Sequence, residues 1–400
     1  MRFPFACTLA ALSFLSCSSS DSSPAQPPAD TAPTVDAGDD AAIPAARKAV
    51  PGDSIYEKAG PHPVGHATFT VTDAARSRTL RLEVWYPADE SARAAAAAGT
   101  PLEALEPAGK DHDTLAGLVA KAGPCTRKRV SSAADLKPLA GAAWPVVAFS
   151  HCHGCVRFSA AESMERLASH GIAVVAPDHT TNTLYDAIDG KLATLDAAFL
   201  AVRVGDIRFT LDTVLDASST AVPAALRGRF DAAKVGMMGH SFGSVTTGAV
   251  LAQDPRPLAG FAIAAPFDLL GGTKVADLKK PVFYLLAQED NSISEIGNNL
   301  IRNDFKTMTT KSWLAEVADA GHWSFSDICG LHPSFTAGCG QAQRQTDTYY
   351  EFNYLQNEGA RALAASYAVA YFLGQLTGDP AGLAFAAEAH PADLVTVKTR

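Results

Sequence analysis

Residues 234–248 read KVGMMGHSFGSVTTG, which is an apolar run, a G-x-S-x-G turn and the start of a helical pattern. The apolar run predicts a buried strand, and the residues after the turn predict a helix. A sharp turn between them needs small residues on both sides of the serine, and Gly239 and Gly243 supply them. Such a turn presents the hydroxyl of Ser241 at the end of the strand, where it can serve as a nucleophile.

The segments around this turn alternate between strand-like and helix-like patterns. Continuous apolar runs, typical of buried parallel strands, are PVVAFS (145–150), IAVVAP (172–177), GFAIAA (260–265) and PVFYLLA (281–287). Helical patterns occupy residues 160–171, 199–216 and 357–376. Two earlier segments, 67–73 and 80–87, alternate polar and apolar residues as half-exposed antiparallel strands do. The chain therefore predicts an α/β fold with a mostly parallel central sheet and helices on both faces.

A serine needs a base, and a carboxylate must orient that base. Enzymes with this elbow place the acid and then the histidine after the serine in the chain. His322 follows WLAEVADA, the predicted last strand, and Asp290 follows the strand 281–287. The sequence predicts a catalytic triad of Ser241, Asp290 and His322. Glu289 or Asp268 is the alternative acid, and His332 is the alternative base.

The stretch SHCHGC (150–155) ends the strand 145–150, and such a loop supplies one N–H to the oxyanion hole. We expect the backbone N–H groups of His153 and Phe242 to bind the oxyanion. Three other interpretations of this stretch remain open: a zinc site, a redox site and a structural disulfide. Its histidines and cysteines are zinc-ligand types, although adjacent residues rarely converge on one ion. C-x-x-C also occurs in redox enzymes, and a structural disulfide to Cys125 is the favoured role for one of its cysteines.

Several stretches resemble the platelet-activating-factor acetylhydrolases and the dienelactone-hydrolase-like and polyester-hydrolase-like members of the α/β-hydrolase family. The similar stretches span about residues 60–330 and are GPHPVGHATFTVTD, LRLEVWYPA, PVVAFSHCHG, RLASHGIAVVAPDH, RVGDIRFTLDTVLD, KVGMMGHSFGSVTTG and AGHWSFSDIC. The resemblance implies an α/β-hydrolase fold and an esterase that uses Ser241 and His322 without a cofactor or metal. Ala264 stands where some acetylhydrolases carry the acid, which points to Asp290.

One departure from this family lies in the oxyanion turn. The family usually has His-Gly where this chain has His151-Cys152. We expect a Cβ at position 152 to narrow the pocket or to change the backbone angle. Trp323 and Tyr185 are predicted to line the substrate pocket, and ordinary core packing is the alternative for both.

The N-terminus predicts export. Arg2 precedes an apolar run that is too short to span a bilayer and that ends at Cys17, so residues 1–17 resemble a signal peptide. Small residues before Cys17 resemble a lipoprotein cleavage site, which predicts a lipid anchor; an ordinary secretory signal is the alternative. Residues 18–50 are predicted to be a disordered linker, and residues 51–400 the hydrolase domain, with an insertion at about 91–140.

The net charge restricts the possible partners, and the cysteine count restricts the possible disulfides. The formal net charge is −9, which argues against a nucleic-acid partner, since such proteins usually carry a basic face. Five cysteines follow residue 17, so at least one thiol is left over. Cys329 with Cys339 is the first predicted pair, and Cys125 with Cys152 or Cys155 is the second.

The sequence thus predicts a carboxylic ester hydrolase acting through an acyl-enzyme. Short-acyl phospholipid esters, polyesters and small esters, including those cut by dienelactone hydrolases, remain open as substrates. Two other classes are retained: a catalytically silent binding module on the same fold, and a disulfide exchanger that uses Cys152 and Cys155.

Overall fold

The computed structural model describes residues 43–400. The predicted signal peptide (1–17), its lipidation site at Cys17 and most of the predicted linker (18–50) lie outside the described residues. No helix within the described part is long and apolar enough to cross a membrane.

Residues 43–400 contain fourteen β-strands. In chain order they are β1 (Val64–Asp73), β2 (Arg78–Pro87), β3 (Thr100–Pro101), β4 (Arg129–Val130), β5 (Ala133–Ala134), β6 (Trp144–Ser150), β7 (Ala173–Pro177), β8 (Phe230–His240), β9 (Pro257–Ile263), β10 (Val282–Ala287), β11 (Ser312–Val317), β12 (Gln341–Gln343), β13 (Glu351–Asn353) and β14 (Val395–Thr399).

The α-helices of the same residues are α1 (Arg93–Ala98), α2 (Lys110–Lys121), α3 (Ala161–Ser169), α4 (Leu184–Ile188), α5 (Ala197–Leu215), α6 (Phe242–Gln253), α7 (Ser294–Thr307), α8 (Asn357–Phe372) and α9 (Pro380–Ala386). A π-helical turn, Leu373–Thr377, extends α8. Short 3₁₀ turns lie at Ile55–Glu57, Glu90–Ala92, Leu102–Leu105, Val275–Asp277 and Pro333–Phe335.

Ten of the strands in residues 43–400 form one sheet in the order β14-β11-β10-β9-β8-β6-β7-β2-β1-β5. The central strands from β7 to β11 are parallel, whereas β2 and β14 pair antiparallel with their neighbours toward the two edges. The predicted fold class is confirmed: a mostly parallel central sheet with helices on both faces. The sheet matters for function because the carboxyl ends of its parallel strands meet at one edge.

Successive residues of each central strand point to opposite faces, so the sheet separates two apolar layers. On β6, Val147 and Phe149 pack in the layer that contains residues of α3 and α8. Val146 and Ala148 pack in the other layer, which contains residues of α5, α6 and α7. Burial on both faces explains why these strands are continuous apolar runs in the sequence.

The predicted insertion contains α1, α2 and the short strands β3, β4 and β5. The segment after α2 is linked to the loop after β11 by a disulfide between Cys125 and Cys339, whose Cα atoms are 5.9 Å apart. The Thr126 hydroxyl donates to the Cys329 carbonyl at 2.7 Å, and Arg127 pairs with the buried Asp327 at 3.2 Å. This part of the chain therefore covers the loop that carries His322.

The predicted disulfides are wrong. Cys339 pairs with Cys125 rather than with Cys329, and Cys152 pairs with Cys155, across a Cα–Cα distance of 5.3 Å. Cys329 is a buried free thiol, and burial raises its pKa to about 12. Nearness in sequence favoured the pair 329–339, but the fold brings Cys125 to Cys339 across a separation of 214 residues.

The end of the predicted linker makes defined contacts with the domain. Arg47 forms ion pairs with Asp319 at 3.2 Å and with Asp393 at 2.9 Å, and its carbonyl accepts the Gln356 N–H at 2.9 Å. Ala49 is buried. These residues therefore pack against the hydrolase domain.

Candidate active site

The elbow is built where β8 ends and α6 begins. Ser241 lies between them with φ +57° and ψ −120°, a backbone conformation that residues with side chains rarely adopt. Its N–H donates to the Ile263 carbonyl of the neighbouring strand at 2.8 Å, which fixes the turn against β9. The serine side chain is half-buried. Local strain of this kind is typical of functional sites, because the surrounding packing must hold it.

Both glycines of the motif are required by contact. A Cβ on Gly239 would lie 2.0 Å from the Gly243 carbonyl oxygen, and a Cβ on Gly243 would lie 1.8 Å from the Ser150 carbonyl oxygen. Ser150 pairs with Gly239 at the ends of the parallel strands β6 and β8. The elbow and the turn after β6 are therefore in direct backbone contact.

His322 and Asp290 meet at the ends of β11 and β10. His322 Nδ1 lies 2.7 Å from Asp290 Oδ2, and both side chains are almost fully buried. The other oxygen of Asp290 accepts the N–H groups of Ser292 and Ile293 at 3.1 and 3.0 Å. The carboxylate is thus held by its own loop while it orients the imidazole, which places a proton on Nδ1 and leaves Nε2 free to act as a base.

His240 connects the histidine loop to the elbow. Its Nε2 lies 2.9 Å from the carbonyl oxygen of His322, and the two rings are 5.0 Å apart. Burial lowers the pKa of His240 to about 3, so the ring is neutral at physiological pH and Nε2–H donates to the carbonyl. Since His240 immediately precedes Ser241, this bond brings His322 beside the elbow.

The alternative acids and base have other partners. Glu289 accepts from Arg344 at 2.6 Å and from the Gln345 N–H at 3.0 Å. Asp268 is exposed, and His332 bonds to Ser334 within a 3₁₀ turn. The arrangement at Asp290 and His322 therefore matches a triad better than any of these three.

The turn after β6 carries the remaining predicted residues. The disulfide joins Cys152 to Cys155 and so closes a small ring around His153 and Gly154. The positive φ of the turn, +65°, falls on Gly154 and not on Cys152, whose Sγ forms the disulfide. The His153 ring lies 6.1 Å from the Phe242 ring. Phe242 is the first residue of α6, where the backbone N–H has no partner within the helix.

The other readings of this turn fit less well. Among the described residues no group of three or more His, Cys, Asp or Glu side chains is arranged to hold a metal ion. The sulfurs of Cys152 and Cys155 belong to fully buried residues, and the next helix begins only at Ala161. A thioredoxin-like exchanger instead presents its C-x-x-C at the start of a helix, accessible to other thiols.

Trp323 and Tyr185 differ in their surroundings. The Trp323 ring packs 5.0 Å from His322 and 5.2 Å from His240, so it borders the site. Tyr185 instead donates its hydroxyl to Glu106 at 2.9 Å, in a buried ion network with Arg157. It lines a separate cavity of about 340 Å³. A pocket role for either residue stays a prediction, and the contacts favour Trp323.

Sequence reasoning missed a buried polar cluster under the turn after β6. Its members are Ser150, His179, Asn182, Arg203 and Asp206, all fully buried. Arg203 and Asp206 lie three residues apart on α5, in the stretch RVGDIRF. The helix also carries Arg208 and Asp212, so the signal was the spacing: Arg203 and Asp206 fall on the helical face of the buried Leu200 and Ile207. Charged side chains are rarely buried without partners.

Comparison with known proteins agrees with the fold. A family model described as platelet-activating factor acetylhydrolase, isoform II, matches residues 48–187. A second, the dienelactone hydrolase family, matches residues 136–328. The fold and the elbow together are those of the α/β-hydrolase fold. The chain is similar to the platelet-activating-factor acetylhydrolase and dienelactone hydrolase families, each over less than half of its length.

Individual relatives include two proteins of Thermobifida alba. The chain is 31% identical over 161 residues to "Cutinase est2" and 30% identical over 162 residues to "Cutinase est1". Each match covers 40% of this chain and 46% and 47% of those proteins, so the chain spans about half of their length. A ferulic acid esterase from Streptomyces cinnamoneus has the same fold, with a TM-score of 0.62, 24% identity, and 88% of this chain and 99% of that chain covered.

Proposed function

We propose that the protein is a serine esterase in which Ser241 is the nucleophile, His322 the base and Asp290 the acid. The observation that carries the proposal is the 2.7 Å contact between His322 Nδ1 and Asp290 Oδ2, with His322 held beside the elbow by His240. The matched hydrolase families and the esterase relatives support carboxylic esters as the substrate class.

The reaction proceeds in two steps. Ser241 Oγ attacks the ester carbonyl carbon while His322 Nε2 takes its proton, and Asp290 stabilises the imidazolium. The N–H groups of His153 and Phe242 bind the negative oxygen of the tetrahedral intermediate. The C–O bond to the alcohol breaks as His322 returns the proton to the leaving oxygen. A water molecule, deprotonated by His322, then attacks the acyl-enzyme and releases the acid and Ser241.

The first test is hydrolysis of p-nitrophenyl acetate by the wild-type protein and by Ser241→Ala, with labelling by a fluorophosphonate. We expect turnover and labelling of the wild type only. Absence of both in the folded wild-type protein would favour a silent binding module. Activity that survives Ser241→Ala but not Cys155→Ala would favour thiol chemistry.

The substrate within the ester class is a finer proposal. Two relatives are named cutinases and one a ferulic acid esterase, and one matched family is named for platelet-activating factor. We propose a short acyl group on an extended alcohol portion, as in a 2-acetyl phospholipid. A panel of a 2-acetyl phospholipid, a polyester film, a feruloyl ester and p-nitrophenyl esters of increasing acyl length tests this. Highest kcat/KM on the phospholipid supports it, and preference for long acyl chains contradicts it.

We also propose that the protein is exported and carries a lipid at Cys17. The two disulfides support an oxidising compartment. Detergent phase partitioning of the protein from bacterial membranes, compared with Cys17→Ala, tests the anchor. We expect wild type in the detergent phase and the variant in the aqueous phase.

A further inference from the structure

The buried guanidinium of Arg203 lies between the two parts of the proposed oxyanion hole. Its Nη2 donates to the carbonyl oxygen of His151, and to Ser150 Oγ at 2.9 Å. Its Cζ lies 4.5 Å above the centre of the Phe242 ring. One side chain of α5 therefore contacts both the turn after β6 and the first residue of α6.

Arg203 also determines the hydrogen-bonding state of His153. Its Nη1 donates to Asn182 Oδ1 at 2.6 Å, and since arginine only donates, this contact fixes which end of the amide faces it. The amide nitrogen of Asn182 then lies 2.8 Å from His153 Nδ1. That nitrogen must accept, so the proton of the neutral ring is on Nε2. The orientation of His153 thus depends on Arg203 through Asn182.

A second set of bonds supports the same turn from His179. Ser150 Oγ accepts from Arg203. Burial lowers the pKa of His179 to about 3, so the ring is neutral; its Nδ1–H donates to Asp206 at 3.0 Å, and its Nε2 accepts from the Ser150 hydroxyl at 3.0 Å. The backbone N–H of His179 donates to His151 Nε2 at 3.0 Å. Every polar atom of the cluster named here has a defined donor or acceptor role, so the turn has one favoured arrangement.

We propose that Arg203 is a positioning residue for the oxyanion hole: it holds the N–H groups of His153 and Phe242 at the spacing that the tetrahedral intermediate requires. The inference rests on the proposed function, since it deepens the role of that site. Burying a guanidinium with one carboxylate nearby is unfavourable, and a merely structural site is filled as well by apolar side chains. Its contact with the Phe242 ring and its link to His153 through Asn182 give the charge a positioning use.

The test compares an ester with the matched thionoester, in which sulfur replaces the carbonyl oxygen. Sulfur is a weaker hydrogen-bond acceptor on a longer bond, so a well-formed oxyanion hole favours the ester. The ratio of the two kcat/KM values reports the hole and does not depend on how much of a preparation is folded. We expect Arg203→Met to lower kcat/KM for the ester about 10- to 100-fold and to lower the ratio about tenfold, with KM little changed.

Two further variants sharpen the test. Asn182→Ala keeps Arg203 and removes only the link to His153, so the ratio falls less than in Arg203→Met; it also serves if Arg203→Met does not fold. Arg208→Met is the matched control, because Arg208 lies on α5 but is exposed and forms a 3.7 Å ion pair with Asp254. The control keeps the wild-type ratio.

The outcomes separate the two proposals. A wild-type ratio in both folded Arg203→Met and folded Asn182→Ala overturns the positioning role and leaves the esterase intact. Failure of the wild-type protein to cleave either substrate, or full activity of Ser241→Ala, overturns the proposed function and this inference with it.

Discussion

His240 and His322 are joined by a hydrogen bond from the imidazole Nε2 of the first to the carbonyl oxygen of the second, at 2.9 Å. His240 is the last residue of β8, and His322 lies in the loop after β11. The bond therefore connects two strands that have β9 and β10 between them in the sheet. It keeps the histidine loop at the elbow without using the ring that the mechanism needs. The x position before the serine in G-x-S-x-G therefore has its own structural role in this protein.

Asp290→Asn tests the acid. The asparagine amide presents to His322 Nδ1 either an NH₂ group, which donates, or a neutral oxygen, which accepts more weakly than a carboxylate. The tautomer with the proton on Nδ1 therefore loses its stabilisation. We expect kcat for p-nitrophenyl acetate to fall about 10²- to 10⁴-fold with little change in KM. Glu289→Gln is the matched control, since Glu289 binds Arg344, and it keeps activity within about threefold. The reverse order of effects would make Glu289 the acid.

Gly243→Ala tests the contact between the elbow and the turn after β6. The new Cβ would lie 1.8 Å from the Ser150 carbonyl oxygen, so one backbone segment must move. We expect a loss of about 1–3 kcal/mol in the free energy of unfolding and a strong loss of kcat. Gly117→Ala, in α2 with no atom within 4 Å of the new Cβ, is the control. It stabilises by about 0.5–1 kcal/mol, measured by denaturant unfolding, with activity unchanged.

The two disulfides are predicted to have different roles. Loss of the bond between Cys125 and Cys339, as a double serine variant, removes a link across 214 residues and lowers the free energy of unfolding by about 2–5 kcal/mol. The bond between Cys152 and Cys155 closes a very short loop, so its loss changes stability by no more than about 2 kcal/mol.

The order of effects on activity is predicted to be the reverse of the order of effects on stability. The Cys152/Cys155 double serine variant releases the ring around His153, so kcat and the ester-to-thionoester ratio fall at a temperature where it is folded. The Cys125/Cys339 variant keeps the wild-type ratio under the same conditions. An unchanged ratio in the first variant would mean that the short disulfide does not support the oxyanion hole.

His240 predicts an acid sensitivity of folding. Its pKa is lowered from 6.5 to about 3 in the folded protein because it is buried. As the pH falls below 6.5, the unfolded chain takes up a proton that the folded chain does not, so stability is lost between pH 6.5 and 3. The contribution is about 2 kcal/mol between pH 7 and pH 5.

His240→Gln keeps an N–H donor for the His322 carbonyl and removes the titrating group. We expect the difference in unfolding free energy between pH 7 and pH 5 to shrink by about 2 kcal/mol. Urea unfolding at both pH values measures it. His112→Gln, at a partly exposed position on α2, is the control and leaves the difference unchanged. An equal difference in wild type and His240→Gln would contradict the lowered pKa.

The central strands and the elbow were predictable because strands that are buried on both faces appear in the sequence as continuous apolar runs. Asp290 and His322 were predictable as candidates because each lies in the loop after a predicted strand, in the chain order serine, acid, histidine. The helix Ser294–Thr307 and the edge strand Val395–Thr399 were not predicted, since both are rich in polar residues and take their structure from packing against the sheet.

Contacts between distant segments were beyond sequence reasoning. The pairing of Cys125 with Cys339 depends on where the insertion lies in space, and local spacing favoured the wrong pair. The sequence predicts that Tyr185 lines the substrate pocket, whereas the hydrogen bond from its hydroxyl to Glu106 depends on contacts that the sequence does not show. The role of Arg203 requires four partners from three segments, which only the folded chain brings together.

The contacts of Arg47 and Ala49 bear on how the enzyme is best produced. A recombinant chain cut at residue 51 would leave Asp319, three positions before His322, without one of its two guanidinium partners. It would also uncover Gly359 at the start of α8, where the Ala49 carbonyl now packs closely. Truncated versions intended for crystallisation or industrial use should therefore begin before residue 43.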